Sequence, residues 1–385
     1  MTYTTMESEA PLDDGGFRAG IQEEEFRRFN YNLLIIQILL FGIGMFNLVS
    51  ATAVQDKAQG LYMTQLMWFG IGSLLSAIIV VFMHYSFFSR TAWITYFGAL
   101  TLLALTLVMG RSSLGARRWL QLGPLGMQPS EFMKLALVVA LAKYFEDDKK
   151  VGGYTLRDLV PPAIIVGIPT GLIMLQPDLG TALILIFVAT SMMLFIKIHP
   201  RTLAILAMCA LVAAPVAYRF GLKPYQRQRL VTFLDPMTDP KGAGYNSIQS
   251  MIAVGSGKFW GKGWKKGTQS RLNFLPEHHT DFIYSVYAEE LGFAGSIVLL
   301  VLYLILLMNG LSVAYQSNDK FAMILALGIS FIFFWHIVVN LGMVMGLLPI
   351  VGVPLPFMSY GGSSLLTAMI GTAILMNIAN KKFMF

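Results

Sequence analysis

The sequence has one cysteine in 385 residues and little charge, Asp, Glu, Lys and Arg together making 13%. A lone Cys209 permits no intrachain disulfide, so cysteine usage says nothing about compartment. An average soluble protein carries roughly 25% charged residues, so an ordinary water-facing shell is excluded. There is no P-loop, no dinucleotide fingerprint and no His/Cys cluster at metal-ligand spacing, and no internal repeat strong enough to build on. The first thirty residues, with Glu23-Glu24-Glu25 ahead of Arg27 and Arg28, lack the apolar core of a cleavable signal peptide. The first span is therefore expected to stay as an anchor. What the sequence does have is apolar mass: 56% hydrophobic residues, with 27 Phe, 15 Tyr and 23 Met, at a mean hydropathy of +0.64. This composition belongs to a membrane protein.

A spanning helix needs about 20 mostly apolar residues. Runs near 33–53, 63–83, 92–109, 130–145, 159–175, 181–198, 203–220, 282–315, 321–346 and 364–380 qualify, which predicts an all-α polytopic protein of about ten transmembrane helices. The fifth run is expected to be interrupted by Pro161, Pro162 and Pro169. The eighth is longer than a bilayer requires, so residues 282–292 should stand outside the core or bend into it. Placing both termini in the cytoplasm puts Arg27, Arg28, Arg90, Lys149, Lys150, Lys320, Lys381 and Lys382 inside, as the Lys/Arg bias of short loops demands. It leaves one long extracytoplasmic loop, 221–281, between the seventh and eighth helices. Long loops cross largely regardless of charge. The net charge of +7 thus gathers partly on the outer face, where nucleic acid is not a partner. Anionic lipid headgroups or an anionic substrate would each account for it.

Helices that begin on the outer face point their unpaired N–H groups outward, a setting that favours anions. The four even-numbered spans open with Gln128-Pro129-Ser130-Glu131, Gln176-Pro177-Asp178-Leu179-Gly180-Thr181, His278-His279-Thr280-Asp281 and Ser359-Tyr360-Gly361-Gly362-Ser363-Ser364. Capping explains part of this pattern; the acids and the glycine pair exceed it. Glu131 and Lys134, three apart on one helix face, should pair. They would either fix helix packing or floor an outward cavity. Arg117 and Arg118 beside Trp119 read as interface anchors or as part of the same site. In the long loop, Tyr225-Gln226-Arg227-Gln228-Arg229 is a donor cluster suited to phosphate oxygens. Residues 244–254 have helical spacing and could skim the membrane surface, and the Lys, Trp and Gly of 258–266 read first as an interfacial anchor. Asp281 and Glu289 lie about 12 Å apart along an ideal helix. That is beyond the roughly 5–9.5 Å of paired-carboxylate glycosidases, so a single carboxylate base fits better.

Taken together, these segments resemble the SEDS family of bacterial cell-wall polymerases, and closely its RodA branch. Further matching stretches are Arg117-Arg118-Trp119-Leu120, Leu234-Asp235-Pro236, Gly242-Ala243-Gly244-Tyr245, Ile248-Gln249-Ser250, Gly267-Thr268-Gln269-Ser270, the run 274–282 and the segment 349–363. The resemblance covers residues 31–380, leaving 1–30 as a cytoplasmic tail ahead of a domain at 31–385. It implies a peptidoglycan glycosyltransferase that joins lipid II units at the outer face of the cytoplasmic membrane, partnered by a class B penicillin-binding protein. It maps the catalytic acid onto Asp281, the cavity pair onto Glu131 and Lys134, and an arginine onto Arg118. Substrate contacts are expected from these and from Gln176, Asp178, Arg227, Arg229, Gln269 and Ser359. No cofactor is called for, beyond a divalent cation that could accompany the pyrophosphate. A flippase for the lipid-linked precursor is the alternative, although transporters usually bind near the midplane, often between inverted repeats.

Overall fold

The computed structural model describes residues 31–53, 60–113, 116–122, 125–148, 150, 152–216, 218–219, 224–239, 242–268 and 279–381. Among these, all ten apolar runs are helical. They are α1 (Tyr31–Ala51), α2 (Leu61–Phe82), α3 (Tyr85–Met109), α4 (Pro129–Asp147), α5 (Val160–Leu175), α6 (Leu179–Phe195) and α7 (Pro200–Val216). After α8 (Pro224–Leu234) and α9 (Ala243–Ser256), both in the long loop, come α10 (Ile283–Gln316), α11 (Lys320–Val344) and α12 (Gly362–Lys381). Six helices, α1, α2, α3, α10, α11 and α12, are long and apolar enough to cross a membrane. Those with 17 residues, α6 and α7, reach only about 26 Å at 1.5 Å per residue.

Two expectations need correction. Span five is not interrupted: Pro161 and Pro162 lie in the first turn of α5, where no intrahelical N–H is needed, and the helix continues through Pro169. The all-α expectation also missed a small antiparallel sheet between α3 and α4, of β1 (Arg111–Ser113), β2 (Ala116–Leu122) and β3 (Leu125–Met127) in that order. It returns the chain to the start of α4.

The bundle buries α4, α11 and α12 at its centre. α12 packs on α2, α4 on α3 and α11, and α10 on α11 and α1. The outer helices show apolar side chains to their surroundings, among them Phe82, Ile94 and Val108. Water would penalise such a surface at about 25 cal/mol per Å²; lipid does not. The chain is a multi-pass membrane protein.

The long eighth span bends at Gly292 (φ 67, ψ −160), a conformation open to glycine alone at little cost. The bend frees backbone N–H groups that need partners. Phe293 and Ala294 donate theirs to the carbonyls of Lys258 and Phe259 at 2.9 and 3.0 Å. A Cβ on Gly292 would stand 2.3 Å from the Gly261 nitrogen, so backbone crosses backbone there without room for a side chain. The segment 258–266 thus caps the restarted helix, which the anchor reading did not foresee. Its aromatics still reach outward: Trp260 is exposed and Trp264 stacks on Phe46 at 4.9 Å. α9 is held to the bundle by the Ser250 hydroxyl, which donates to the Val344 carbonyl at 2.7 Å.

Candidate active site

α4 starts where β3 ends, with Gln128 at the N-cap and Pro129 at the first helical position. The Gln128 N–H donates to Ser363 Oγ at 2.9 Å, tying the start of α4 to the start of α12. One turn in, Lys134 Nζ donates to Glu131 Oε1 at 2.9 Å. The two residues are only 2% and 4% exposed. Removing either charge from water costs several kcal/mol, so further partners are required. One is His336 on α11, whose Nε2 lies 2.8 Å from Lys134 Nζ, while its Nδ1 lies 3.0 Å from the Pro354 carbonyl oxygen. An ammonium only donates and a carbonyl only accepts. The ring therefore carries its proton on Nδ1 and accepts from the lysine on Nε2. Glu131, Lys134, His336, Phe333, Thr367 and Gly371 help to line a cavity of about 310 Å³, counted with its open mouth. Thr367 Oγ1 is buried without a protein partner among the described residues.

Asp281 sits half-buried just ahead of α10, whose N-cap is Phe282. Its backbone carbonyl accepts from Asn340 Nδ2 at 2.9 Å. The same amide group donates to the Val353 carbonyl at 2.7 Å. Beside it runs Gly352, at φ +73, where a Cβ would lie 3.0 Å from Asp281 Oδ2. Farther along this loop the Tyr360 N–H donates to the His279 carbonyl at 3.0 Å. Burial pushes the Tyr360 phenol up, against a lowering hydrogen bond with Thr64. Asp281 flanks the short stretch of loop at residues 352–354, and the Glu131–Lys134 pair is joined to it through His336.

The other expected residues are distributed differently. Arg118, on β2, donates from Nε to the Gln176 carbonyl at 3.2 Å and from Nη2 to the Pro177 carbonyl. Its Nη1 lies 3.9 Å from Asp178 Oδ1. Asp178 caps α6, accepting from the Thr181 N–H at 3.3 Å and the Thr181 hydroxyl at 3.0 Å. Gln176 Nε2 donates to the Leu103 carbonyl at 2.9 Å and to Thr106 Oγ1 at 2.6 Å. Gln176 and Asp178 are 2% and 3% exposed, so in this structure they build a turn that Arg118 clamps, and they present no free surface to a ligand. Ser359 is likewise buried, its Oγ accepting from the Leu355 N–H at 2.8 Å.

Arg227 Nη2 donates to the Arg219 carbonyl at 2.6 Å. Arg229 lines a second cavity, of about 240 Å³ counted with its open mouth, with Thr232, Ser247 and Pro349. The arginine cluster is thus apart from the Lys134 cavity but touches the start of the loop that reaches it. Gln269 lies outside the described residues, as do residues 1–30. Glu289 Oε1 accepts from Lys262 Nζ at 2.6 Å and from the Thr268 N–H at 2.8 Å, and Glu290 Oε1 from Ser50 Oγ at 2.6 Å. Both acids anchor the 258–268 segment. Among the described residues, no group of three or more His, Cys, Asp or Glu is placed to share a metal ion.

Sequence reading missed His336, Asn340 and Gly352. The signal was there for the first two: polar residues four apart inside an apolar span, which are costly in a membrane and so call for a role.

Comparison with known proteins gives the family. The model of the FtsW/RodA/SpoVE family, described as cell cycle protein, matches residues 31–383. The peptidoglycan glycosyltransferase MrdB of Escherichia coli (strain K12) is 41% identical over 296 residues, 74% of this chain and 77% of that protein. The peptidoglycan glycosyltransferase RodA of Treponema pallidum (strain Nichols) is 33% identical over 91% of this chain and 97% of its own. Among solved structures, a chain from work on the structural coordination of polymerization and crosslinking by a peptidoglycan synthase complex superposes with a TM-score of 0.80. It is 34% identical and covers 92% of this chain and 99% of its own. The rod shape determining protein RodA of Thermus thermophilus gives 0.68 at 29% identity, over 92% and 98%. A match running from α1 through α12, carried by sequence as well as by fold, has one meaning: the chain belongs to the FtsW/RodA/SpoVE family.

Proposed function

We propose that this protein is a peptidoglycan glycosyltransferase that polymerises lipid II into β-1,4-linked glycan strands for cell elongation. The observation that carries the reading is that a half-buried carboxylate, Asp281, flanks Gly352 while a buried cation, Lys134, is tied to Pro354 of the same loop through His336. A sugar hydroxyl of the acceptor attacks the anomeric carbon of the donor, and its proton passes to the Asp281 carboxylate. The new glycosidic bond forms as the bond from the anomeric carbon to the undecaprenyl pyrophosphate oxygen breaks. The electron pair leaves with the pyrophosphate, so a single displacement converts the α donor linkage to β. Arg227 and Arg229, on α8 beside the start of the loop that reaches the site, suit the leaving group, since guanidinium binds phosphate oxygens bidentately. A divalent cation would bind through those same oxygens, and chelation in the assay below would reveal it.

The assay is glycan polymerisation by purified protein in detergent, where there is no second compartment to move a lipid into. Chains that lengthen from lipid II support the polymerase. A preparation that binds lipid II without extending it favours the flippase. The relative from a peptidoglycan synthase complex supports pairing with a transpeptidase, a class B penicillin-binding protein. The ten apolar runs support ten spans, and the Lys/Arg bias supports both termini in the cytoplasm and residues 221–281 outside the cytoplasmic membrane. A cysteine at position 266, in a background lacking Cys209, should then react with an impermeant thiol reagent in intact spheroplasts. Labelling only after lysis would overturn that topology.

A further inference from the structure

Asn340 and His336 stand one helical turn apart on α11 and grip the same loop from the same side. Asn340 Nδ2 spends one hydrogen on the Val353 carbonyl at 2.7 Å and the other on the Asp281 carbonyl at 2.9 Å. His336 Nδ1 donates to the next carbonyl along, that of Pro354, at 3.0 Å. The orientation of the Asn340 amide is dictated, because the flipped form would set its oxygen against two carbonyl oxygens. Its Oδ1 is left buried without a partner among the described residues. A buried acceptor left this way costs about 1–3 kcal/mol, so the two bonds from the nitrogen must outweigh it. Asn340 is completely buried, and nothing in the packing of α11 by itself asks for an amide there. What the amide does is fix the distance between the backbone of Asp281 and the loop whose Gly352 flanks the Asp281 carboxylate. His336 adds the second tie, and through Nε2 it ends on Lys134 at 2.8 Å. The connection therefore runs without a gap from Glu131 through Lys134, His336 and the 353–354 backbone to Asn340 and Asp281.

We propose that Asn340 and His336 are positioning residues. They hold Asp281 at the reacting hydroxyl and tie its place to the Glu131–Lys134 pair; Asn340 does so from complete burial, and His336 from the wall of the Lys134 cavity. The inference rests on the reading of Asp281 as the base. Misplacement of a catalytic group by about 1 Å can cost about 10²-fold. Asn340→Leu, which keeps the volume and removes both donors, should lower kcat for lipid II polymerisation by about 10–10²-fold and leave KM nearly unchanged.

The decisive measurement is a cycle with Asp281→Asn in the full-length purified protein. If Asn340 acts only through Asp281, the double variant should be no slower than Asp281→Asn alone, within about twofold. Multiplying losses would overturn the proposal and leave the base intact. If Asp281→Asn itself is active, base and proposal fall together. His336 gives a second route should Asn340→Leu not fold. Asn at 336 sets an amide nitrogen where Nδ1 was and keeps the bond to Pro354; Gln sets an amide oxygen where Nε2 was and keeps the bond to Lys134. Holding the loop is the point, so His336→Asn should retain more kcat than His336→Gln. Equal or reversed losses would sink the idea.

Discussion

Asp281→Asn should abolish most polymerisation from lipid II, by about 10²–10⁴-fold, the usual cost of removing a general base, while the protein still folds and still co-purifies with the proposed transpeptidase partner. The same substitution tests capping, because Asn caps a helix about as well as Asp. The structure sharpens the contrast, since the N-cap of α10 is Phe282 and Asp281 stands one residue before it. Its backbone bond from Asn340 is untouched by the change. Asp281→Glu is the companion. It keeps the charge but moves the carboxylate by about one methylene, while the bond from Asn340 keeps the backbone in place. A catalytic group displaced this far should leave little activity. Polymerisation is measured at a temperature well below the melting transition. Asp281→Asn within a few-fold of the parent would mean that the residue is structural.

Much of this was legible in the chain because membrane helices are set by local composition. Among the described residues each of the ten apolar runs is helical, since a backbone without water must bond internally along its own segment, although α3 begins at Tyr85, well ahead of the expected start at 92. The bend at Gly292 falls at the end of the 282–292 stretch singled out for excess length. The sheet at residues 111–127 was not legible. Its strands are three, seven and three residues long, and pairing of such short pieces is fixed by neighbours, not by propensity. The tertiary partners of Gln176 and Asp178 were not legible either: the carbonyl of Leu103 and the guanidinium of Arg118, which hold their turn, come from distant segments. Asn340 escaped for the same reason. A lone amide in an apolar span announces a role, but which carbonyls it bridges is written in residues 59 and 13 positions away.

Glu131→Gln and Lys134→Met should each remove most polymerase activity, and the double variant should lose much less than the two losses multiplied. The side chains are 5% and 2% exposed at 2.9 Å, so neither water nor salt shares the charge. Breaking one side of such a buried pair costs about 3–5 kcal/mol, because the survivor is left uncompensated. Removing both charges relieves that term. His336 makes the two singles unequal. In Glu131→Gln the ammonium keeps its bond to Nε2 and loses only the anion. In Lys134→Met the carboxylate and the imidazole nitrogen are stranded together, so Lys134→Met should be the worse of the two in thermal melting. Melting alone would follow if the pair merely fixed α4 against α11, and in that case polymerisation per folded molecule, read well below the transition, would stay near that of the parent. Because both residues line the cavity with Thr367, the expected result is a rate loss that persists there. Rate losses that simply multiply in the double variant would show that Glu131 and Lys134 act separately.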